Sequence, residues 1–568
     1  MMTNKLTSIV ATIGPASESE EVIKQMILAG MNVARFNTKH GELNWHREKI
    51  DLVHLVASKL NRPVAVLLDL QGPEIRLDLI GVKSFAVKVG DEITLTSDRD
   101  QKGAKTAYIP QPVIDILANG DLVLLDDGAG EFTITTESTT SLIAKALVDC
   151  EVIHRKTLNT PGLVVDLPAL VEQDLAHLDH AAQSKVDYVG LSYARGKKDI
   201  EHLRLELEKR NLSAGVVAKI ENQSALDNID EIIAASDAVM IARGDLAVEV
   251  PFEQLSFWQK MIIAKCRAQA KPVITATQML KSMVDSPRPT RAEVSDVANA
   301  VYDSTSAVML SEETAMGKYP VKAVETQAKI AAFNEPYVKS NLEDWLDKDK
   351  PSSITHAAIY LLEHQLEEID SLVCLTETGA TANLLARFRP KIPIHALTSN
   401  EQTYRKLTLD FGITPHIMKF PEGGIQEPHV IAEEVGLQDI IEQGKTALVI
   451  YGSVWKTPGL TNSLSIVTIP GRRDWNKESL RLVVIEKGNM AKRKGLLAFL
   501  VGAAAGAAAL FLSDKDNREK TARAAKVVAK KAGTAKRQAI SKTKKVVRKS
   551  KASARKAVRN VRKTVKRA

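Results

Sequence analysis

Apolar strand-like runs that alternate with helical patterns predict an α/β protein built around a (β/α)8 TIM barrel. Alternation of strand and helix favours a parallel sheet, and eight repeats suit a closed barrel. The runs cover residues 8–14, 31–37, 63–70, 187–194, 215–222, 238–241, 272–277 and 306–310. Polar residues stand at strand ends, where this fold places active sites: Arg35 and Asn37, Asp69, Ser192, Lys219 and Glu221, Asp245, and Thr277. The alternative, a doubly wound open sheet, would not gather them at one place.

Two further domains are expected around the barrel. Residues 77–161 interrupt one repeat with short strands of alternating polarity and Gly-Asp turns, which predicts a small β-barrel lid. A second α/β pattern has strands near 371–376, 392–397 and 447–451. We therefore predict the barrel in 1–76 and 162–335, the lid in 77–161, a C-terminal α/β domain in 336–472, a linker in 473–489, and an appended segment in 490–568.

The net charge of +8 is the sum of two segments of opposite net charge. Residues 491–568 hold 25 Lys and Arg against 3 Asp and Glu, whereas the first 490 residues hold 52 against 66. The chain is thus an acidic body with a strongly basic tail. Three cysteines at unrelated spacings favour neither disulfides nor a zinc cluster, and no signal peptide precedes the first strand. These features predict a cytoplasmic protein.

The segment Lys219-Ile-Glu-Asn is the candidate centre of the chemistry. Lys219 and Glu221 alternate onto one face at the end of a buried strand, and Asp245 follows the next strand. Two carboxylates with room for substrate oxygens are typical of a Mg²⁺ site, and Lys219 would stabilise a phosphoryl group in transfer. A structural salt bridge between Lys219 and one carboxylate is the alternative for an isolated Lys-x-Glu.

Seven ordered motifs give the chain a resemblance to the pyruvate kinase family over residues 5–470. They are Ala11-Thr-Ile-Gly-Pro-Ala-Ser, Gly30-Met-Asn-Val-Ala-Arg-Phe-Asn, Gly72-Pro-Glu-Ile-Arg, Lys219-Ile-Glu-Asn, Ala242-Arg-Gly-Asp-Leu, Ala276-Thr-Gln-Met-Leu and Pro289-Thr-Arg-Ala-Glu-Val-Ser-Asp-Val-Ala-Asn-Ala-Val. Each motif falls on a predicted strand end or loop. The resemblance implies transfer of phosphoryl from phosphoenolpyruvate to ADP, giving ATP and pyruvate in glycolysis.

The resemblance also implies roles for individual residues. Glu221 and Asp245 would hold Mg²⁺ or Mn²⁺, and Lys219 would stabilise the transferring phosphoryl. Phosphoenolpyruvate would be held by Arg35, by Lys219, by the backbone N–H groups of Gly244 and Asp245, and at Thr277, where the enolate is protonated through water. The nucleotide phosphates would face Arg35, His40 and Lys156. By themselves, His40 suits a helix cap or packing, and Thr277 suits a strand residue with a backbone bond.

The monovalent-cation site departs from the pattern of most family members. Asn37 and Asp69 are kept, but Lys39 stands where Ser is expected and Leu70 where Thr supplies a carbonyl. Our hypothesis is that the Lys39 ammonium occupies the K⁺ position, since Arg35, Asn37 and Lys39 would alternate onto one face. The enzyme would then not require K⁺. In the alternative, Lys39 points into solvent and the enzyme depends on K⁺ or is weak.

Two further departures bear on activity. Ala247 and Glu312 each stand where the family usually has glycine, and glycine at such places often permits close approach or a positive φ. Neither change removes a catalytic group.

An effector site is predicted at the second α/β domain. Thr376, Thr378, Gly379 and Thr381 open a helix and, with a loop like Trp455-Lys-Thr-Pro-Gly, correspond to the region where the family binds sugar-phosphate activators. An ordinary strand-to-helix turn is the alternative. A homotetramer is implied only by the resemblance.

The segment 490–568 resembles the small bacterial YtxH-type proteins. It combines basic residues, an uncharged Gly/Ala-rich run at 495–512 and a Lys/Arg-rich end. The run is marginal as a membrane span, and spanning would carry the basic end across the membrane, against the positive-inside tendency. Three other structures and roles of this segment remain as alternatives. It could form an interfacial helix on anionic lipid, contact nucleic acid, or be a solvated disordered tail. The tail also suggests an alternative function for the whole chain. The protein would then be a catalytically reduced paralogue that acts through this tail as a membrane- or nucleic-acid-associated scaffold.

Overall fold

In the described part of the chain, eight parallel strands close into a barrel. The computed structural model describes residues 5–101, 103–338, 349–364, 368–419, 427–452 and 461–470. The barrel strands are Ser8–Thr12, Val33–Asn37, Ala65–Asp69, Tyr188–Leu191, Gly215–Ile220, Ala238–Ala242, Val273–Ala276 and Ala307–Leu310. Each pairs with the next along the chain, and Ser8 lies opposite Ala307 where the barrel closes. The predicted barrel is confirmed.

The strand pleat decides which side chains enter the barrel. Val33, Leu67 and Val217 belong to the cluster that fills the interior, whereas their chain neighbours pack outward against the helices. Because side chains alternate along a strand, Arg35, two residues beyond Val33, also points inward. Lys219 follows Val217 in the same way. Polar side chains thus collect at the carboxyl end of an apolar barrel.

Helices cover the outside of the barrel. They are Glu20–Ala29, Leu43–Lys59, Glu172–Ala181, Lys197–Lys209, Gln223–Asp227, Ile229–Ala235, Arg243–Glu249, Leu255–Ala268, Arg291–Tyr302, Glu312–Ala315 and Pro320–Asn334, with 3₁₀ turns at Phe252–Gln254, Lys281–Val284 and Glu335–Tyr337. The helix Arg291–Tyr302 begins with a capping box, in which Thr290 and Glu293 satisfy each other's backbone N–H groups.

The lid is an all-β insertion after the third barrel strand. Its described strands are Asp78–Leu79, Ser84–Val87, Glu92–Thr96, Thr106–Tyr108, Leu122–Leu125, Gly130–Glu137, Ser141–Ala146, Cys150–Ile153 and Leu158–Asn159, with one helical turn at Gln111–Ile114. In the residues described, seven of these strands form one sheet and two form another. A separate hydrophobic cluster around Phe132 and Leu95 fills the insertion.

The C-terminal domain contains a sheet of five described strands. They are Ser371–Leu375, Ile394–Thr398, Ile413–Ile417, Thr446–Gly452 and Thr461–Thr468, and the last pairs antiparallel with its neighbour. The helices are Lys350–Glu363, Ala380–Ala386, Glu401–Lys406 and Pro428–Leu437. Only three strands were predicted here. The strand Ile413–Ile417 contains Pro415, and Thr461–Thr468 is polar along most of its length, so neither gives a strong apolar signal.

The C-terminal domain closes the floor of the barrel. Leu409, in the 3₁₀ turn Leu407–Leu409, belongs to the same buried cluster as the interior residues Val10 and Met240. The adjacent hydroxyl of Thr408 donates to the carbonyl of Asn32 at 3.0 Å. A residue of one domain therefore completes the core of another.

No helix within the described ranges is long and apolar enough to span a membrane. The predicted linker 473–489, the YtxH-like segment and its run 495–512 lie outside the described residues.

Candidate active site

Side chains from three neighbouring barrel strands and their ends surround the ammonium group of Lys219. Its Nζ lies 2.7 Å from Glu221 Oε1 and 3.4 Å from Asp69 Oδ1. It also donates a hydrogen bond to Ser192 Oγ at 2.7 Å. The ammonium is thus held between two carboxylates and a hydroxyl.

These contacts keep Lys219 charged in a buried place. Burial opposes the charged form of a lysine and lowers its pKa. At Lys219 the negative charges of Asp69, Glu221 and Asp245 outweigh burial, and the pKa is raised. Its side chain is only 9% exposed. A fixed positive charge in a water-poor cleft can stabilise a phosphoryl group in transfer.

Arg35 supplies a second fixed cation. Its Nε donates to Asp69 Oδ2 at 2.7 Å, and another guanidinium nitrogen donates to Thr12 Oγ1 at 2.9 Å. Burial of Asp69 raises the pKa of its carboxyl, but the charges of Lys219 and Arg35 lower it overall. Asp69 therefore stays ionised and orients both cations toward the barrel mouth.

Glu221 and Asp245 form the candidate metal pair. Glu221 Oε2 accepts a hydrogen bond from the backbone N–H of Tyr193 at 2.7 Å, which fixes that carboxylate. Burial and then the charge of Glu221 raise the pKa of Asp245 to about 6. A divalent cation between them would relieve this repulsion, so the pair fits Mg²⁺. No group of three His, Cys, Asp or Glu in the described residues could hold a metal, so substrate oxygens and water would complete the shell.

Thr277 has an unusual backbone conformation beside this pair. Its φ is +69°, which is a strained value for a β-branched residue. Its hydroxyl accepts from the backbone N–H of Gly244 and donates to the carbonyl of Ala276, both at 2.7 Å. The Thr277 side chain and the Gly244 amide are thereby held together at the end of neighbouring strands.

Arg243 fixes this strained turn from behind. Its guanidinium donates to the carbonyls of Ala276 at 3.1 Å and Thr277 at 2.9 Å. It also forms two 2.7 Å hydrogen bonds to the carboxylate of Asp296. The fork geometry of arginine allows all four contacts at once. Arg243 and Asp296 thus determine where Thr277 stands.

The part of the site at Asp245, Thr277 and Arg243 borders a cavity of about 830 Å³. Asp245, Gly244 and Thr277 line it from the barrel, and Asp127 lines it from the lid. The volume is in the range of small-molecule sites.

Comparisons with known proteins agree with this arrangement. The family model "Pyruvate kinase, barrel domain" matches residues 4–324, and "Pyruvate kinase, alpha/beta domain" matches residues 352–467. The chain is 37% identical over 474 residues to "Pyruvate kinase" of Clostridium acetobutylicum, covering 82% of this chain and 99% of the relative. It is 41% identical over 481 residues to "Pyruvate kinase" of Thermococcus litoralis, covering 82% and 98%.

The chain belongs to the pyruvate kinase family. It is a phosphotransferase enzyme, and nothing in the comparisons favours the scaffold reading. The two family matches together extend no further than residue 467, so they give no support to the YtxH-like resemblance.

In this member of the pyruvate kinase family, the three residues predicted to bind the nucleotide phosphates do not form one cluster. Arg35 lies in the central cluster, whereas His40 is exposed and its carbonyl accepts from His46 Nε2 at 2.8 Å. Lys156, at the edge of the lid, lies 2.8 Å from Asp126 Oδ1. The structure does not bring His40 or Lys156 into contact with Lys219.

The predicted alternation of Arg35, Asn37 and Lys39 is wrong at Lys39. The strand ends at Asn37 and the chain then turns, so Lys39 leaves the barrel wall. Its ammonium lies 2.9 Å from Glu74 Oε1, while Arg76 holds the other oxygen of Glu74 at 2.6 Å. Burial of Glu74 opposes ionisation, but the charges of Lys39 and Arg76 outweigh it and lower the pKa of this carboxyl.

The other residues predicted for the monovalent-cation site take internal contacts. Asn37 Oδ1 accepts from the backbone N–H of Lys39 at 3.2 Å. The carbonyl of Leu70 accepts from Ser192 Oγ at 2.7 Å, and Asp69 pairs with Arg35 and Lys219. Ser192 thus connects the predicted cation site to the candidate catalytic lysine.

The two departures from glycine cause no backbone strain. Ala247 lies in the helix Arg243–Glu249 and Glu312 begins the helix Glu312–Ala315, and neither has a positive φ. Glu312 forms an ion pair with Lys281 at the rim of the cavity. The backbone conformation at both positions therefore does not require glycine.

The predicted effector loop is internally bonded. Thr376 Oγ1 accepts from the Gly379 amide at 2.9 Å, and Thr381 Oγ1 lies 2.7 Å from Thr461 Oγ1. Gly379 has a φ of +89°, which glycine adopts without strain. The loop predicted to complete the site, at 455–459, lies outside the described residues.

Sequence reasoning missed several supporting residues. Tyr193 stands just beyond a strand end, but it had no role in the predicted site. Arg243 and Asp296 lie inside two of the quoted motifs, and that position was a usable signal. The two residues lie 53 positions apart in the sequence, so their contact became visible only in the fold.

Proposed function

We propose that this enzyme transfers the phosphoryl group of phosphoenolpyruvate to ADP and gives ATP and pyruvate in glycolysis. The observation that carries the proposal is the Lys219 ammonium, held charged among buried carboxylates beside Asp245. Phosphoryl transfer depends mainly on positioning and charge neutralisation. Lys219 and Arg35 would neutralise the negative charge of the transferring group.

Glu221 and Asp245 would hold the Mg²⁺ (or Mn²⁺). Bound there, the divalent ion would neutralise charge on the phosphoryl and carboxylate oxygens. The Tyr193 amide keeps one oxygen of Glu221 occupied, so the other faces Lys219 and the site.

Phosphoenolpyruvate would be held by Arg35, Lys219, Thr277 and the backbone N–H groups of Gly244 and Asp245. The Gly244 amide is engaged by the Thr277 hydroxyl in this state. A substrate oxygen must therefore replace that hydroxyl as acceptor, which would free Thr277 to orient a water for enolate protonation.

ADP would lie between Arg35, His40 and Lys156. Lys156 is 43% exposed and on the lid side of the cleft, so exchanging Asp126 for a nucleotide phosphate costs little.

The monovalent cation of the family would be replaced by the Lys39 ammonium, held over Glu74. The contact with Glu74 fixes a positive charge that acts on Asp245, which supports a built-in cation near the active site. We therefore also propose that the enzyme does not require K⁺.

The experiment is a coupled assay of pyruvate formation on the full-length chain, with phosphoenolpyruvate, ADP and Mg²⁺. Glu221→Gln should lower kcat at least about 100-fold, the scale of losing one charged group at a transition state. The matched control is Glu172→Gln, an exposed helix residue. Inactive, folded wild-type protein would overturn the proposal and favour a scaffold.

Regulation and assembly are secondary proposals. The loop of Thr376, Thr378, Gly379 and Thr381 would bind a sugar phosphate, and the chain would form a homotetramer. A sugar phosphate that changes the KM for phosphoenolpyruvate in wild type but not in Thr378→Val would support the first. Light scattering would test the second.

The appended segment 490–568, which resembles YtxH-type proteins, would associate with a polyanionic surface. Its 25 basic side chains support attraction to anionic lipid or nucleic acid. A cytoplasmic enzyme with membrane association through 495–512 would sediment with anionic vesicles. Retention on duplex DNA without vesicle binding would instead assign nucleic acid.

A further inference from the structure

The seven-residue helix Arg243–Glu249 belongs to the active site at one end and contacts the lid at the other. Its first turn contains Gly244 and Asp245, which line the main cavity. Its last residue, Glu249, lines a second cleft, of about 110 Å³, between the barrel and the return segment of the lid, residues 158–167. None of the roles assigned above uses Glu249.

The Glu249 carboxylate holds the return segment by two hydrogen bonds. Asn159 Nδ2 donates to Glu249 Oε1 at 3.3 Å, and the backbone N–H of Gly162 donates to the same carboxylate. Arg195 also lines the cleft, but its guanidinium pairs with Asp199. Burial is the main cause that raises the pKa of Glu249, and the two hydrogen bonds oppose it. They therefore stabilise the ionised form of a half-buried carboxylate.

The return segment leads back to the nucleotide side of the lid. Asn159 is the last residue of a lid strand that pairs antiparallel with the strand Leu122–Leu125. Shortly before that strand stands Lys156, which contacts Asp126 of the lid. Because these residues belong to one small sheet and its turn, a group that fixes Asn159 also limits the movement of Lys156. Glu249 is such a group.

The lid approaches the same helix at a second place. Asp127, in the lid turn, lines the main cavity together with Ala247 and Val248 of the helix. At the next position, a Cβ on Gly128 would lie 3.6 Å from Val248 Cγ1, which is an ordinary van der Waals distance. The second half of the helix therefore borders the lid at two separate points.

We propose that Glu249 is a positioning residue that fixes the nucleotide side of the lid on the helix that carries Asp245. It touches no reacting atom and acts through Asn159 and Gly162. The inference rests on the proposed function, because it takes Lys156 as a residue that binds the nucleotide. The contact between helix and lid is measured without any activity, so the two can fail separately.

The contact should affect the two substrates unequally. Phosphoenolpyruvate would be held by residues of the barrel, whereas ADP would also be held by Lys156 of the lid. Loss of the Glu249 contact should therefore raise the KM for ADP and leave the KM for phosphoenolpyruvate nearly unchanged, since only the ADP site loses a positioned group. A merely structural role would lower the amount of active enzyme, and hence the apparent kcat, without changing either KM.

The first test is hydrogen–deuterium exchange of the full-length chain without substrates. Glu249→Ala removes both acceptors, so exchange of the backbone amides of residues 159–163 should become at least about threefold faster. The matched control is Glu253→Ala, at an exposed residue of the adjoining 3₁₀ turn, and it should exchange as wild type. Equal rates in Glu249→Ala and wild type would overturn the contact, even if the enzyme proved inactive.

The second test is the coupled assay on the full-length chain. Asn159→Asp places a second carboxylate against Glu249 and should raise the KM for ADP about fivefold, with the KM for phosphoenolpyruvate within about twofold of wild type. Adding Glu249→Gln should restore the KM for ADP, because the new amide can donate to the new carboxylate while its oxygen accepts from the Gly162 N–H.

The control for this restoration is Asn159→Asp/Glu253→Gln, which has the same net charge as the restoring pair. It should keep the raised KM for ADP. Restoration by both pairs, or by neither, would overturn the role of Glu249, and so would an equal rise of both KM values in Asn159→Asp. If Glu249→Ala does not fold, exchange is compared between Asn159→Asp and Asn159→Asp/Glu249→Gln, and equal rates would contradict the proposal.

Discussion

The Lys39 ammonium lies 2.9 Å from the Glu74 carboxylate, and its charge acts on Asp245 of the candidate metal pair. Arg76 occupies the other oxygen of Glu74. Lys39 is only 22% exposed at its side chain, so it neither points freely into solvent nor follows the strand alternation expected from the sequence. Its charge is fixed by an acidic partner on the next loop.

Lys39→Gln should make the enzyme dependent on K⁺. The wild type should be equally active in KCl and in tetramethylammonium chloride, whereas the variant should lose about 10-fold or more without K⁺ and recover with it, because a monovalent cation can substitute for an ammonium. The assay measures pyruvate formation on the full-length protein. Lys49→Gln is the matched control, since Lys49 is 21% exposed and pairs with Glu18. Strong activation of the wild type by K⁺ would contradict the hypothesis that the Lys39 ammonium replaces this cation.

Arg243→Lys should lower kcat by about 10- to 100-fold with little change in the KM for ADP. Lysine keeps the charge but cannot hold the carbonyls on both sides of the strained Thr277 and the Asp296 carboxylate together. Steady-state kinetics would measure kcat and KM, and an unchanged circular dichroism spectrum would show that the variant is folded. Arg210→Lys, at an ion pair with Glu206 in which the arginine is 16% exposed, is the control and should leave kcat near wild type. A variant with unaltered kcat would show that Arg243 does not position Thr277.

Leu409→Ala should destabilise the enzyme by about 2–5 kcal/mol, the range for emptying a buried leucine site. Leu409 is 1% exposed and fills the barrel floor from the C-terminal domain. The midpoint of urea unfolding measures the effect. Leu437→Ala, at a residue 52% exposed, should change the free energy of unfolding by less than about 0.5 kcal/mol. Equal effects of the two substitutions would mean that the floor contact is dispensable.

Acid should destabilise the C-terminal domain through a histidine pair. His395 Nδ1 and His416 Nε2 lie 3.0 Å apart, and burial lowers the pKa of each to about 4. Because the folded pKa is below the ordinary value of about 6.5, this stabilisation is present above pH 6.5 and is lost as pH falls toward 4. Between pH 6.5 and 5.5 the loss is about 1 kcal/mol per histidine.

Urea unfolding of wild type, His416→Gln and His429→Gln across this range isolates the pair. His429 is exposed, so its variant should retain the wild-type pH slope. His416→Gln should show a shallower slope, and an unchanged slope would assign the acid sensitivity elsewhere.

Alternation of side chains along strands made the barrel and its chemistry predictable from the sequence. The eight apolar runs and the period of two placed Arg35, Asp69 and Lys219 on one interior face, because these relations are local. Glu221 follows the strand that contains Lys219, and Asp245 follows the next strand, so the same reasoning predicted that the two carboxylates lie together. The lid followed from its own alternating pattern.

Contacts between distant segments were decided by the tertiary structure. Lys39 meets Glu74 across 35 residues only because two loops converge after adjacent strands. Arg243 meets Asp296, and Leu409 enters the barrel, through docking of separate elements. Local periodicity determines which face a side chain occupies, but the partner on that face depends on how the elements pack, and no single segment of the sequence contains that information.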